Sequence, residues 1–135
     1  IKKLFILFLL LIMGCSATSY VKISGEKIKV EVADEASEMM QGLMFREELC
    51  TDCGMVFVFP KDIEQSFWMK NTLIPLDMIF INADGIVVDV LSAVPCSEDP
   101  CPHYTPKEKA KYVVEVNQGR FKDDVIAGRK VELKI

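Results

Sequence analysis

The sequence predicts an all-β fold, a mainly antiparallel barrel or sandwich of about eight short strands with one or two short helices. Short segments rich in β-branched and aromatic residues recur along the chain and are separated by turn signals. Only one segment shows clear helical periodicity. With 135 residues, the chain is long enough for one hydrophobic core but not for two.

The first elements are a hairpin and a helix. Residues 20–23 and 27–32 alternate apolar and polar side chains around a Ser-Gly-Glu turn, which predicts two antiparallel strands with one buried face. Asp34 can cap a helix that follows, and Gly42 suits its end. In that helix, one stripe at spacings of three and four residues is formed by Ala36, Met39, Met40 and Leu43.

The remaining strands are predicted from runs of β-branched and aromatic residues. They cover residues 55–59, 66–70, 77–82, 86–94, 111–116 and 130–134. An Asn-Ala-Asp-Gly turn at 82–85 joins two of them. A short second helix is expected at residues 121–127.

The N-terminus has the pattern of an export signal. Lys2 and Lys3 precede the run LFILFLLLIM, which is too short to span a bilayer, since spanning takes roughly 20 residues. The following Gly14-Cys15 resembles the lipobox of bacterial lipoproteins, in which the cysteine is acylated. A transmembrane anchor is the alternative. We therefore expect a signal peptide at 1–14, a lipidated tether at 15–20 and a single β domain at 21–135, anchored by acyl chains such as palmitate on the extracytoplasmic face of a bacterial envelope.

Charge argues against a nucleic-acid partner. Without residues 1–14 the chain has 14 basic and 20 acidic residues and no basic cluster, so its net charge is about −6. The membrane is expected to be a partner through the lipid anchor and not through a polybasic patch.

Several blocks together resemble the DUF192 family, whose members are small β-rich domains of unknown function. These blocks are GLMFREEL, GMVFVF, FWMKNTLIPLDMIFINADGIVV, PC…CPHY and YVVEVNQG. The resemblance covers roughly residues 30–132 and implies a compact barrel-like β fold. It implies no activity. The cysteines at 50 and 53 depart from the pattern.

A candidate binding site is indicated by polar residues within the apolar run SFWMKNTLIPLDMIF. A carboxylate buried at Asp77 needs a partner, and Arg46 offers a bidentate one. Two interpretations are open. These residues form either a structural polar knot that fixes a loop, or a small-ligand site walled by Trp68, with Arg46, Asn71, Thr72 and Asp77 converging. The protein is expected to be a ligand-binding or accessory module.

A hydrolase is the alternative from another functional class. Glu115 interrupts the apolar strand YVVEV, and it either faces solvent or reaches the region of Asp77. If the two carboxylates converged, they could hydrolyse glycans or cell-wall material. A purely structural envelope protein is the third possibility. Sequence alone assigns no catalytic residue, because His103 is the only histidine and sits in a cysteine-containing loop.

Two local disulfides are expected, Cys50–Cys53 and Cys96–Cys101, because disulfides persist in exported proteins. A shared zinc site and a redox role for the Cys-x-x-Cys motif are alternatives. The methionines are expected to fill the core; cuprous binding is a weaker alternative. We expect no metal and no cofactor.

Overall fold

The computed structural model describes residues 18–135. Its strands are β1 (Tyr20–Ile23), β2 (Glu26–Ala33), β3 (Cys53–Ile63), β4 (Leu76–Ile81), β5 (Val87–Ala93), β6 (Ala110–Asn117) and β7 (Glu132–Lys134), and its helices are α1 (Ala36–Gln41) and α2 (Asp123–Ile126). The predicted all-β class with few helices is confirmed. The predicted signal peptide and Cys15 lie outside the described residues.

All seven strands form one sheet in the order β5-β4-β6-β3-β2-β1-β7. The pairs are antiparallel except for β2–β3, which is parallel. A parallel pair needs a long crossover, and the connection from β2 to β3 contains α1. The sheet curls, so that a bridge between Ile86 and Lys130 joins the segments that precede the two edge strands.

The curled sheet has a core on each face. The inner cluster lies on the concave side and contains Val21, Ile28, Val56, Ile79, Val114 and Val116, among others. The outer cluster lies on the other side and contains Leu43, Met55, Phe57, Met69, Met78, Phe80 and Val113, among others. Strand β4 is therefore buried at every position, which explains its uninterrupted apolar sequence.

The N-cap of helix α1 lies one residue after the predicted one. Glu35 is the N-cap, and it forms a capping box with Glu38. Gly42 is the C-cap, as predicted, with a φ of 48°. The predicted apolar stripe is only partly buried, since Met40 is 77% exposed.

Residues 66–70 do not form the predicted strand. They cross the outer face as a loop that makes a single bridge, between Phe67 and Tyr104. Phe67 and Met69 pack on the outer cluster, while Ser66 and Trp68 are exposed. Alternate residues are therefore buried, as in a strand, although the segment is a loop. In residues 18–135, no helix is both long enough and apolar enough to cross a bilayer.

Candidate functional site

Two loops on the outer face bring aromatic and polar side chains together. Phe67 and Tyr104 exchange backbone hydrogen bonds of 3.0 and 2.8 Å. This pairing places the segment after Phe67 beside the segment before Tyr104. The Trp68 and His103 rings therefore lie side by side, with their centroids 6.3 Å apart.

The surface around Trp68 is polar and charged. Ser66 Oγ and His103 Nδ1 are hydrogen-bonded at 2.8 Å. The Lys70 ammonium group lies 5.7 Å from the centroid of the Trp68 ring and 3.5 Å from the Asp99 carboxylate. The Trp68 side chain is 47% exposed despite these neighbours. We call the five residues Ser66, Trp68, Lys70, Asp99 and His103 the Trp68 site.

The Cys96–Cys101 disulfide braces the loop that supplies Asp99 and His103. The second predicted disulfide, Cys50–Cys53, is also present and lies at the start of β3. Both predicted pairings are confirmed. Cys96, Asp99 and Cys101 also place one ligand atom each within 4.8 Å of one another, but both thiols are used in the disulfide.

The predicted pairing of Arg46 with Asp77 is wrong. The Arg46 guanidinium donates two hydrogen bonds to the Glu31 carboxylate, at 2.5 and 2.8 Å. These bonds lower the pKa of Glu31 and raise the pKa of Arg46. Arg46 lies over the outer face because Glu31 is paired in register with Met55 of the outer cluster.

Asp77 serves a different purpose, on the inner face. Its buried carboxylate accepts hydrogen bonds from the Gly119 N–H at 2.7 Å, the Phe121 N–H at 3.4 Å and the Ser92 hydroxyl at 2.6 Å. Asp77 therefore anchors the connection between β6 and α2 to the start of β4. Asp77 thus has a structural role, but its carboxylate binds a serine and the backbone amides of the loop after β6, not an arginine or the predicted loop before β4.

Asn71 and Thr72 shape the loop between the Trp68 site and β4. Asn71 has a φ of 56°, a left-handed conformation that asparagine tolerates, and its carbonyl accepts the Phe45 N–H at 2.8 Å. Thr72 is buried and its hydroxyl donates to the Lys70 carbonyl at 3.4 Å. Of the predicted set of ligand-binding residues, only Trp68 belongs to the surface site.

Glu115 is buried on the outer face, so it neither faces solvent nor reaches Asp77. Only 5% of its surface is exposed, and burial raises the pKa of its carboxyl group to about 8. No residue in the described part of the chain forms a hydrogen bond or an ion pair with that carboxyl group. Asp77 pairs in register with Val116, and Glu115 with Met78, so the sheet separates the two carboxylates. The carboxylate pair required by the hydrolase hypothesis is not formed.

Sequence reasoning missed most of the Trp68 site. Ser66, Lys70 and His103 were each visible, but no spacing rule joins residues 66–70 to residue 103. The sequence signal for the site was the pair of aromatic residues Phe67 and Tyr104. Both need burial, and they can pair across the outer face.

The fold and this site define a small all-β domain with an exposed aromatic site on the outer face of a curled sheet. The sequence matches the family DUF192, described as an uncharacterized ACR, over residues 19–133. The chain belongs to the DUF192 family. A UPF0127 protein of Pyrococcus furiosus is 31% identical over 102 residues, which cover 70% of this chain and 78% of that protein.

Two solved structures are similar in fold. One is a protein of Sinorhizobium meliloti 1021, named a "putative transcription regulator", with a TM-score of 0.76 and 35% identity over 87% of this chain and 94% of that chain. The other is a protein of unknown function from Novosphingobium aromaticivorans DSM 12444, with a TM-score of 0.72 and 31% identity over 85% of this chain and 83% of that chain.

Proposed function

We propose that this protein is a lipid-anchored, extracytoplasmic module that binds a small ligand at the Trp68 site. The observation that carries the proposal is the half-exposed Trp68 ring, flanked by a lysine ammonium group and by a histidine that is hydrogen-bonded to a serine. An exposed tryptophan with polar neighbours offers both an apolar contact surface and hydrogen-bonding groups to a ligand.

The chemistry of the site suits a sugar-sized ligand with an apolar ring face and polar edges. The ring face would stack on the indole of Trp68. Hydroxyl or carboxylate groups at the edge would bond to Lys70 and His103. The site is held by the Phe67–Tyr104 backbone pairing and by the Cys96–Cys101 disulfide, so little ordering is needed when a ligand binds.

The envelope location is part of the same proposal and rests on the N-terminal sequence. The basic start, the short apolar run and the Gly14-Cys15 junction favour export and acylation at Cys15. Acylation there would place the membrane a few residues before Tyr20, the first residue of β1. Ligands of the Trp68 site are then envelope compounds. We propose no nucleic-acid partner, because the chain is acidic and has no basic cluster.

Fluorescence titration tests the binding site directly, because Trp68 is the single tryptophan of the chain. The probes are N-acetylglucosamine and glucuronate. We expect a saturable change in Trp68 emission with at least one probe. Lys70→Ala and His103→Ala should each weaken that binding by about tenfold, which corresponds to about 1.4 kcal/mol.

Lys111→Ala is the matched control. Lys111 also lies over an aromatic ring, with its ammonium group 5.4 Å from the Tyr112 centroid, but outside the site. This variant should bind as the parent does. The proposal fails if neither probe gives a saturable change, or if Lys70→Ala and Lys111→Ala bind the probe equally well.

A further inference from the structure

A row of side chains crosses the outer face with a carboxyl group at its centre. Strand register pairs Met55 with Glu115 and Glu115 with Met78. Paired residues on neighbouring strands point to the same face and have Cβ atoms about 4.5–5.5 Å apart. Glu115 is therefore flanked by a methionine on each side, under the loops that cover the outer cluster.

The methionines of this row are buried. Met55 is 6% exposed and Met78 is 0% exposed. A third methionine, Met69, is 1% exposed and belongs to the same cluster. Three thioethers and one carboxyl group are therefore gathered on one face of the sheet.

The Glu115 carboxyl group is unexplained by the fold. Within residues 18–135 it has no hydrogen-bond or ion-pair partner, although 95% of the residue is buried. Burying a carboxyl group without a partner is costly, and an apolar residue of similar size would avoid that cost. Asp77 and Asp89, the other carboxylates with almost no exposure, both accept backbone hydrogen bonds.

We propose that Glu115, Met55 and Met78 form a binding site for a soft monovalent metal ion, Cu(I), with Met69 as a further thioether ligand. Thioether sulfur selects Cu(I) among the metals of the cell. Thioethers carry no charge, so on their own they would leave a buried cation uncompensated. The Glu115 carboxylate supplies the one negative charge that makes the site neutral. This site is separate from the Trp68 site, and the proposal does not depend on the proposed function.

Binding exchanges a proton for the metal ion. The Glu115 O–H bond breaks, the proton goes to water, and the carboxylate contacts the cation; copper enters and stays as Cu(I). In the same row, Glu31 lies beyond Met55 and pairs with Arg46. Because the Glu31 carboxylate is already paired with Arg46, Glu115 is the carboxyl group of this row that supplies charge to the cation.

Calorimetry with Ag(I), a redox-inert probe of Cu(I) sites, tests the proposal. The protein carries Cys15→Ser and intact disulfides, so that no thiol competes for silver. We expect about one Ag(I) to bind per chain. Glu115→Gln keeps the size of the side chain but removes its negative charge, so it should weaken binding by at least about tenfold.

Methionine variants identify the ligands. Met55→Leu and Met78→Leu conserve volume and should fold, which thermal unfolding checks. Each should lower the affinity for Ag(I) by at least about tenfold. Met40→Leu is the control, because Met40 is 77% exposed on α1, and it should bind as the parent does. The proposal is overturned if the parent binds no Ag(I), or if folded Met55→Leu and Met78→Leu bind it as tightly as Met40→Leu.

Discussion

Asp77 and Glu115 lie on neighbouring strands, one register position apart, and point to opposite faces of the sheet. The Asp77 carboxylate accepts backbone hydrogen bonds on the inner face, while Glu115 lies among the residues of the outer cluster. One carboxyl group is fully hydrogen-bonded, and the other has no partner within the described residues. The two should therefore respond in different ways to substitution.

Glu115→Gln should make the protein less sensitive to rising pH. The pKa of Glu115 is raised from 4.5 to about 8 in the folded state, so the folded protein holds a proton that the unfolded chain releases. Stability from this group is fully present below about pH 4.5 and is lost as pH rises to about 8. The parent should lose about 3–4 kcal/mol relative to Glu115→Gln between pH 5 and pH 8. Urea unfolding at several pH values measures the difference, and parallel curves would contradict the assignment.

Arg46 and Asp77 should be energetically independent. Arg46 pairs with Glu31, and both side chains are partly exposed, so that ion pair should contribute less than about 1 kcal/mol. Arg46→Leu and Asp77→Leu share no partner, and their effects on the free energy of unfolding should add to within about 0.5 kcal/mol in the double variant. A coupling above about 1 kcal/mol would show that the two side chains interact. The double variant Arg46→Leu and Glu31→Leu is the control, because these two side chains do form an ion pair.

Cys15→Ser should release the protein from the membrane fraction. The apolar run before Cys15 is too short to span a bilayer, so retention should depend on acylation of the cysteine. Fractionation of cells that express the parent and the variant measures this. Ser16→Ala, which leaves the cysteine intact, is the control. Membrane retention of Cys15→Ser at the parental level would argue for a transmembrane anchor instead.

The two local cysteine pairs should both be oxidised to disulfides in the purified protein. Non-reducing peptide mapping should find Cys50 linked to Cys53 and Cys96 linked to Cys101. Each closes a small ring, so replacing either pair by serine should cost roughly 2 kcal/mol by chain entropy. Replacing Cys96 and Cys101 should also weaken ligand binding at the Trp68 site, whereas replacing Cys50 and Cys53 should not. A crossed link or equal effects on binding would contradict this.

The fold was largely predictable because strands in this chain have clear composition and turn signals. The hairpin of β1 and β2 alternates in sequence as it does in space, since only one face of it meets a core. The central strands lack that signal. Both faces of β6 are covered, so alternation could not show whether Glu115 is exposed.

The partners of the polar residues were not predictable, because they depend on strand register and on loop paths. The sequence does not show on which face of the sheet Asp77 lies, because a shift of one residue in strand register would move it to the other face. It therefore could not show whether Asp77 and Arg46 lie on the same face. Asp77 points to the same face of β4 as Ile79 and Ile81, the inner face. There its carboxylate accepts hydrogen bonds from backbone amides of residues 119–121. No spacing rule connects residues 77 and 119.

Asp77→Ala should be strongly destabilising, because it leaves the Gly119 and Phe121 amides and the Ser92 hydroxyl without their acceptor. Hydrogen bonds to a charged group contribute about 1.5–3 kcal/mol each, and unsatisfied buried donors add a desolvation cost. We expect a loss of about 3–5 kcal/mol by urea unfolding, from the lost hydrogen bonds and the donors left unsatisfied. Ser92→Ala removes one donor and keeps the carboxylate bonded to the backbone, so it should cost only about 1 kcal/mol. Hydrogen exchange locates the effect: the Gly119 and Phe121 amides should lose protection in Asp77→Ala and keep it in Ser92→Ala. Equal protection in both variants would show that Asp77 does not hold the connection between β6 and α2.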